Sequence, residues 1–421
     1  MSTINALSYV LGGGAGERLF PLTSHRAKPA VPFGANYRVI DFVLSNLYHS
    51  SIRKIYVLTQ HESHSLHRHI KYGWYPRFGV GGDKFLTVLP SVKGGKRGWY
   101  DGTAEAITKN LEYITEEDPE VVDVFGADHI YFMDISKFNE YHLNKNSDLT
   151  ICTIPVKRDL AKDNYGVLEI NENWEVINFE EKPLNPKPIP NNEEYCLTSM
   201  GNYVFNPQIL IEQLLKDSEK EFREKKAVLT DPNKFSTHDF GFDIIPAMIK
   251  ANKKVFAYNF NENTVRGSFE IEKGFWRDIG SLDEYYKVNM EVRSINPPIN
   301  LYNQKWPVHT CPESLQPAKF VNNGKALDSI IANGVIISNS FVNNSVIGYS
   351  VIIESSEINN SILLGNNKIG EGSRIEKTII DKNINVPYEC TIGIDKELDK
   401  KRGLFISKEG ITIIPKFYKF E

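Results

Sequence analysis

Cysteine is scarce: Cys152, Cys196, Cys311 and Cys390 are the only four in 421 residues, far apart and never in a C-x-x-C pair. That spacing excludes a zinc knuckle and a compact disulfide framework. No apolar run approaches the roughly eighteen residues that a membrane-spanning helix needs. Met1 to Val10 has neither a charged leader nor a long apolar core, and glycines interrupt the chain directly after it, so a secretory signal is not expected and the chain reads as reduced and cytoplasmic. Positive charge is not in excess either. With 49 Lys and Arg against 53 Asp and Glu the formal net charge is -4, which leaves no broad basic surface for nucleic acid. Any anion site has to be local.

What is present is a chain too long for one hydrophobic core, so two domains are expected. Residues 1–294 alternate short β-branched runs with helical patterns, the signature of a layered α/β domain with a largely parallel sheet. Leu7 to Leu11, Lys54 to Thr59, Val121 to Phe125 and Leu149 to Val156 read as strands. Ile40, Val43, Leu44 and Leu47 repeat at helical spacing, as do Ala104, Ile107, Leu111 and Ile114. Residues 295–317 are rich in proline and asparagine and read as a linker. In residues 318–421 the pattern changes. Phe341, Ile347, Ile353, Ile358, Leu364, Ile369, Ile375, Ile380, Val386 and Ile392 recur at spacings of six or five. One inward aliphatic per flat face, with Asn, Ser or Gly at the corners, is what a parallel β-helix requires, whereas short antiparallel strands would give period two.

After the first strand comes a glycine-rich loop with Gly12, Gly13, Gly14 and Gly16, followed by Arg18 and Lys28. Amides freed by glycine approach a polyphosphate closely, and the two cations add charge-assisted contacts. No Gly-Lys-Ser/Thr follows, so the loop is not a Walker A motif, and Glu17 breaks the G-x-G-x-x-G spacing of dinucleotide folds. Asp128 stands just past the strand Val121 to Phe125, at the carboxyl edge where such folds bind ligands, and its hard oxygens suit Mg²⁺. His61, His64, His67 and His69 read as a solvated helix face rather than a zinc site.

Gly12 to Ala30, then Phe33-Gly34 and Tyr37-Arg38-Val39-Ile40-Asp41-Phe42, resembles the N-terminus of the ADP-glucose pyrophosphorylases. The similarity continues through Trp99-Tyr100-Asp101-Gly102-Thr103-Ala104, Ala127-Asp128-His129-Ile130-Tyr131, Glu181-Lys182-Pro183, Ser199-Met200-Gly201, Trp276-Arg277-Asp278-Ile279-Gly280 and the hexapeptide coil. The resemblance implies a Rossmann-like nucleotidyltransferase domain with a mixed, mainly parallel sheet, followed by a left-handed parallel β-helix. It implies ATP and α-D-glucose 1-phosphate as substrates, and Mg²⁺ held by Asp128 and Asp278. In the same way it puts Lys182 on the sugar phosphate, Glu181 on the glucose hydroxyls, and Tyr100, Gly166 and Ser199 at the other sugar-side positions. Arg402, with Ser407, Glu409 and Gly410, resembles a tail that helps bind a small phosphorylated effector, and the family suggests a homotetramer. The alternatives are a catalytically silent regulatory subunit, the same chemistry on another nucleotide or sugar, and an acyltransferase. The last wants a histidine base in the coil, and no histidine follows His309.

Overall fold

The structure, a computed structural model, describes residues 4–14, 16–79, 81, 84–91, 99–190, 192–225 and 231–420, so Ala15 of the glycine loop lies outside the described residues. Its N-terminal part is built on one nine-stranded sheet. Val121–Gly126, Ala6–Gly12, Lys54–Thr59 and Phe85–Pro90 lie side by side and parallel, and Leu149–Lys157 and Val255–Asn259 form a second parallel pair. The long strand Tyr195–Phe205 joins the two blocks by antiparallel pairing to both. It is bent in the middle, where its register against Leu149–Lys157 shifts between Ser199 and Tyr203 and Gly201 takes a left-handed conformation (φ 71). Gly166–Ile170 and Val176–Glu181 complete the far edge as an antiparallel pair.

Alternation along the strands feeds two apolar layers. Ala6, Val10, Val121 and Phe125 face one layer with Ile40, Val43, Leu44 and Leu47 of the helix Ile40–His49. Leu7, Tyr9, Val122 and Val124 face the other, with Ala104 and Ile107 of the helix Thr103–Thr108 and Ile114 of Glu112–Glu117. The repeat from Ala104 to Ile114 is thus split into two short helices rather than one.

After the helix Leu282–Arg293 the chain runs without a regular element to the strand Lys319–Val321, where a three-sided, left-handed parallel β-helix begins. Each face is a ladder of equivalent residues: Ile337, Ile353, Ile369 and Val386 on one, and Val342, Ile358, Ile375 and Ile392 on the next. The third carries Ile331, Ile347, Leu363, Ile380 and Ile414. The corners are turned by residues with positive φ such as Asn339, Asn344, Ser355, Asn360 and Asn383, a conformation that asparagine tolerates better than most residues. Buried serines knit successive coils, with the Ser356 and Ser361 amides donating to Ser340 Oγ and Ser345 Oγ at 3.0 and 3.1 Å. Two inward positions differ from the sequence reading. Val342, not Phe341, enters the coil core, and Leu363 fills it where Leu364 was expected. Leu364 instead packs in a third apolar cluster with Leu19, Val31, Tyr285, Val346 and Ile379, which joins the coil to the sheet domain. A buried ion pair crosses the same interface: Arg26 Nη1 and Nη2 donate to Asp381 Oδ2 and Oδ1 at 3.0 and 2.8 Å.

Candidate active site

Three neighbouring parallel strands release their chemistry at the same carboxyl edge. The glycine loop follows Ala6–Gly12, Gln60 and His61 follow Lys54–Thr59, and Asp128 follows Val121–Gly126. A cavity of about 500 Å³ opens there, lined by Gly13, Gly14, Gln60, His61, Tyr100, Asp128, Glu181 and Asp239 among others. This is where ligands of open α/β sheets sit. A more open groove of about 540 Å³ runs along the coil from Asn323 to Arg374, with Lys325, Glu357 and Arg374 in its lining.

Gly16 turns the loop with φ 67, and a Cβ there would come within 3.0 Å of Thr23 Cγ2 and 3.2 Å of Lys28 Cβ. Only glycine lets the loop fold back so closely onto the segment carrying Lys28. Lys28 opens a short 3₁₀ turn, Lys28–Ala30, and its buried ammonium lies 2.7 Å from Asp128 Oδ2 and 3.0 Å from Asp278 Oδ1. The two carboxylates, 150 residues apart in sequence, are brought together by a two-stranded ladder in which Asp278 of Trp276–Asp278 lies opposite His129 of His129–Tyr131. Burial pushes Asp128 up, but the Lys28 charge and then His129 overcome it and hold the carboxyl well below the usual range. Burial likewise lowers Lys28, and the two carboxylates outweigh it and raise it. One oxygen from each of Asp128 and Asp278 and a ring nitrogen of His129 lie within 4.8 Å of one another. Hard carboxylate oxygens converging in this way are a donor set for a divalent metal ion. Arg18, exposed, flanks this pair: a Cβ on Gly280 would meet Asp278 Oδ2 at 3.5 Å and Arg18 Nη1 at 3.6 Å.

Of the residues read as sugar-side, Tyr100 and Glu181 line the cavity, Gly166 packs against Glu181, and Lys182 is exposed beside it. Glu181 ends the strand Val176–Glu181, and two glycines make space for it: a Cβ on Gly166 or Gly241 would fall 2.8 or 2.4 Å from Glu181 Oε2. Burial and the neighbouring Asp239 push Glu181 up to about 7 against Lys182 and Lys225. Lys182 follows in a left-handed conformation (φ 52), its amide held by the Tyr165 carbonyl and its Nζ 3.8 Å from Glu181 Oε1. A lysine in that conformation is held by its surroundings at a cost of roughly 1–3 kcal/mol, the kind of strain that clusters at functional positions. Tyr100 lines the cavity, while the Ser199 hydroxyl accepts from the Gly201 amide at 3.1 Å and lies 3.5 Å from the Tyr203 hydroxyl. Trp99 stacks on His61, which lines the cavity, with ring centres 4.5 Å apart.

Asp239, Lys225, Tyr203 and Gln60 also line this cavity and were not singled out in the sequence. Ser236-Thr237-His238-Asp239 carries no spacing that distinguishes an acid in a pocket wall from one in a loop. The histidine group divides. His64 is exposed and His67 shares a hydrogen bond with Thr59 Oγ1, but His69 is buried, 2.6 Å from Asp41, so it is not part of a solvated face. Arg402 donates to the Thr391 carbonyl at 2.6 Å and lies 4.0 Å from Asp399, closing the helix Lys396–Lys401.

Comparison with known proteins agrees with this arrangement. The family described as Nucleotidyl transferase matches residues 7–295, and the GlmU-like C-terminal hexapeptide family matches residues 316–414. The chain is 41% identical to the glucose-1-phosphate adenylyltransferase of Thermus thermophilus, with 100% of both chains covered. It is 39% identical to that of an Anaeromyxobacter species, over 99% of each. Glucose-1-phosphate adenylyltransferase 1 of Vibrio parahaemolyticus is 41% identical over 97% of this chain and 98% of its own. A sheet edge that gathers a glycine loop, a lysine and two carboxylates, joined to a hexapeptide coil and matched along its whole length, places this chain in the glucose-1-phosphate adenylyltransferase family of nucleotidyl transferases.

Proposed function

We propose that the chain transfers the adenylyl group of ATP to α-D-glucose 1-phosphate, giving ADP-glucose and pyrophosphate, the activating step of α-glucan (glycogen) synthesis. The observation that carries this reading is Lys28 bridging Asp128 and Asp278 beside the glycine loop, at a cavity whose wall includes Asp128 and Glu181, with Lys182 3.8 Å from Glu181. A phosphate oxygen of glucose 1-phosphate attacks the α-phosphorus of ATP, the bond from that phosphorus to the bridging oxygen breaks, and pyrophosphate leaves. The second pKa of a phosphate monoester is near ~6, so the nucleophile is already anionic and no general base is required. The site's task is to hold two repelling anions in line and neutralise charge.

Gly12, Gly13, Gly14 and Gly16 bring backbone close to the triphosphate, and Arg18 and Lys28 direct positive charge at it. Asp128 and Asp278 would hold Mg²⁺, which supplies charge neutralisation on the transferred and leaving phosphates. Lys182 meets the phosphate of glucose 1-phosphate as a point charge. Glu181 accepts from sugar hydroxyls, and Tyr100, Gly166 and Ser199 shape the surrounding wall. Asp128→Asn tests the assignment. It should lower kcat about a hundredfold or more, a loss of ~3 kcal/mol in transition-state stabilisation, and near-normal turnover would reject it.

We also infer that a phosphorylated effector acts on the enzyme from the coil side. Arg402, the residue suggested by the resemblance, spends its guanidinium on Thr391. Lys382 on the coil is the cation assigned to it instead: its Nζ donates to the Tyr349 hydroxyl, and burial first, then Arg38 and Arg26, push the ammonium down to about 7 against Asp381 and Glu313, so an arriving anion would favour its charged form. If Arg402→Ala abolishes a sugar-phosphate or phosphoglycerate response that Lys382→Ala leaves intact, the assignment reverts to the tail. A homotetramer is the assembly this reading carries, and exposed Phe320 and Leu327 at the first coil are surface it would cover; light scattering that gives a monomer rejects it.

A further inference from the structure

Lys225 reaches the same cavity from the segment after the short strand Glu221–Phe222. Its Nζ donates to Asp239 Oδ2 at 2.6 Å and lies 5.5 Å from the centre of the Phe242 ring. Three uncharged donors hold the rest of that carboxylate. Thr103 Oγ1 donates to the same Oδ2 at 3.1 Å, and the Gly241 and Phe242 amides donate to Oδ1 at 3.0 and 3.4 Å. Gly241 separates Asp239 from Glu181. Its amide binds the first, and its missing side chain leaves space for the second, whose Oε2 would lie 2.4 Å from an added Cβ.

Two acids on either side of one glycine, in a mostly buried wall, need a counter-charge. Among the described residues the charged groups around them are few. Lys182 lies 3.8 Å from Glu181 on its own chain segment, and Lys225 and Asp239 come from the opposite wall. Tyr203 from the bent strand faces both acids through a buried hydroxyl. Glu105 of the helix Thr103–Thr108 is matched by Lys109 at 2.9 Å, and Asp243 by Arg223 at 3.7 Å. Burial raises Asp239, and Lys225 is the largest influence opposing it, leaving Asp239 below the usual carboxylate range.

We propose that Lys225 is a positioning residue for the sugar end of the active site: by neutralising and fixing Asp239, it leaves Glu181 free to accept hydrogen bonds from the hydroxyls of a hexose 1-phosphate. This rests on the reading of Glu181 as a sugar contact. Lys225 touches no reacting atom. Without it, Asp239 faces Glu181 with its charge uncompensated, Glu181 takes up a proton more readily, and a protonated carboxyl is a poorer acceptor.

Steady-state kinetics on the full chain, with glucose 1-phosphate and ATP varied separately across about pH 6 to 9, test this on Lys225→Met, Lys225→Arg and Glu181→Gln. Lys225→Met should raise KM for glucose 1-phosphate about tenfold near neutral pH, with kcat and KM for ATP within about twofold. The pH below which that KM climbs should move up by about one unit, and Lys225→Arg should restore both values. If Glu181→Gln raises KM for glucose 1-phosphate and Lys225→Met does not, the role of Lys225 is overturned while the sugar contact stands. If neither variant raises it, the sugar reading of Glu181 has failed and the proposal with it. Equal rises for both substrates with no shift along the pH axis mark a merely structural lysine, and also overturn it.

Discussion

The ion pair between Arg26 and Asp381 gives the most demanding stability prediction, because it joins the two halves of the molecule where water is excluded. The side chains are 5% and 1% exposed and share two parallel hydrogen bonds, while Arg26 Nη1 also donates to the Leu22 carbonyl at 3.2 Å. Asp381→Ala strands a guanidinium that never loses its proton, and removing one partner of such a pair costs about 3–5 kcal/mol. Swapping both at once, Arg26→Met with Asp381→Leu, removes both buried charges and should recover most of that loss. The assay is urea unfolding followed by tryptophan fluorescence and circular dichroism, comparing Asp381→Ala, the double variant and the parent. Since the pair sits beside the apolar cluster shared by the sheet domain and the coil, the loss should appear as an earlier common transition. A loss below about 1 kcal/mol would refute the reasoning, since that is the size of a screened surface pair.

The same geometry carries further expected outcomes. Lys182→Ala should mainly raise KM for glucose 1-phosphate, in contrast to the kcat loss of Asp128→Asn; a Lys182→Ala effect confined to ATP would contradict the placement of the sugar phosphate. Asp123, in the strand Val121–Gly126, is fully buried, accepting from Ser8 Oγ at 2.7 Å and Asn139 Nδ2 at 3.4 Å, with its Oδ1 and Asn139 Oδ1 both unpaired, and burial pushes it up from 3.8 to about 7. An acid raised in the folded state lowers stability progressively as pH rises from about 4 to 7, here by up to roughly 4 kcal/mol. Asp123→Asn, whose amide can donate to Asn139, should therefore match the parent near pH 4 and exceed it above pH 7 in denaturant titrations; a gain that does not change with pH contradicts this. An effector that binds through Lys382 should lose affinity as pH rises through about 7, where that ammonium loses its proton, and isothermal titration across that range checks it.

The coil was legible because its pattern is local. An inward aliphatic every five or six residues and asparagine at the corners mark a hexapeptide coil whatever surrounds it, and the departures at Phe341 and Leu364 are shifts of one residue. At Leu364 two adjacent residues are both buried, one in the coil and one in the domain interface, so aliphatic character alone could not choose between them. The strands at the sheet centre were equally legible, since each is a short β-branched run ending where a loop with chemistry begins. The partition of Arg26 and Lys28 was not. These two cations lie one residue apart in R-A-K, yet one turns to the coil and the other to Asp128 and Asp278. Asp239 and Lys225 escaped notice for a similar reason, because their meeting with Glu181 depends on which strand lies beside which and not on spacing along the chain. His69 shows the converse, a histidine in an exposed-looking run that the fold buries against Asp41.

The measurement that bears most directly on the account is pyrophosphate release from α-D-glucose 1-phosphate and Mg²⁺, with ATP, UTP, dTTP and GTP each offered in turn. The account predicts the highest kcat/KM with ATP and ADP-glucose as the product. A faster reaction with UTP or dTTP, or no pyrophosphate release with any of the four, would contradict it.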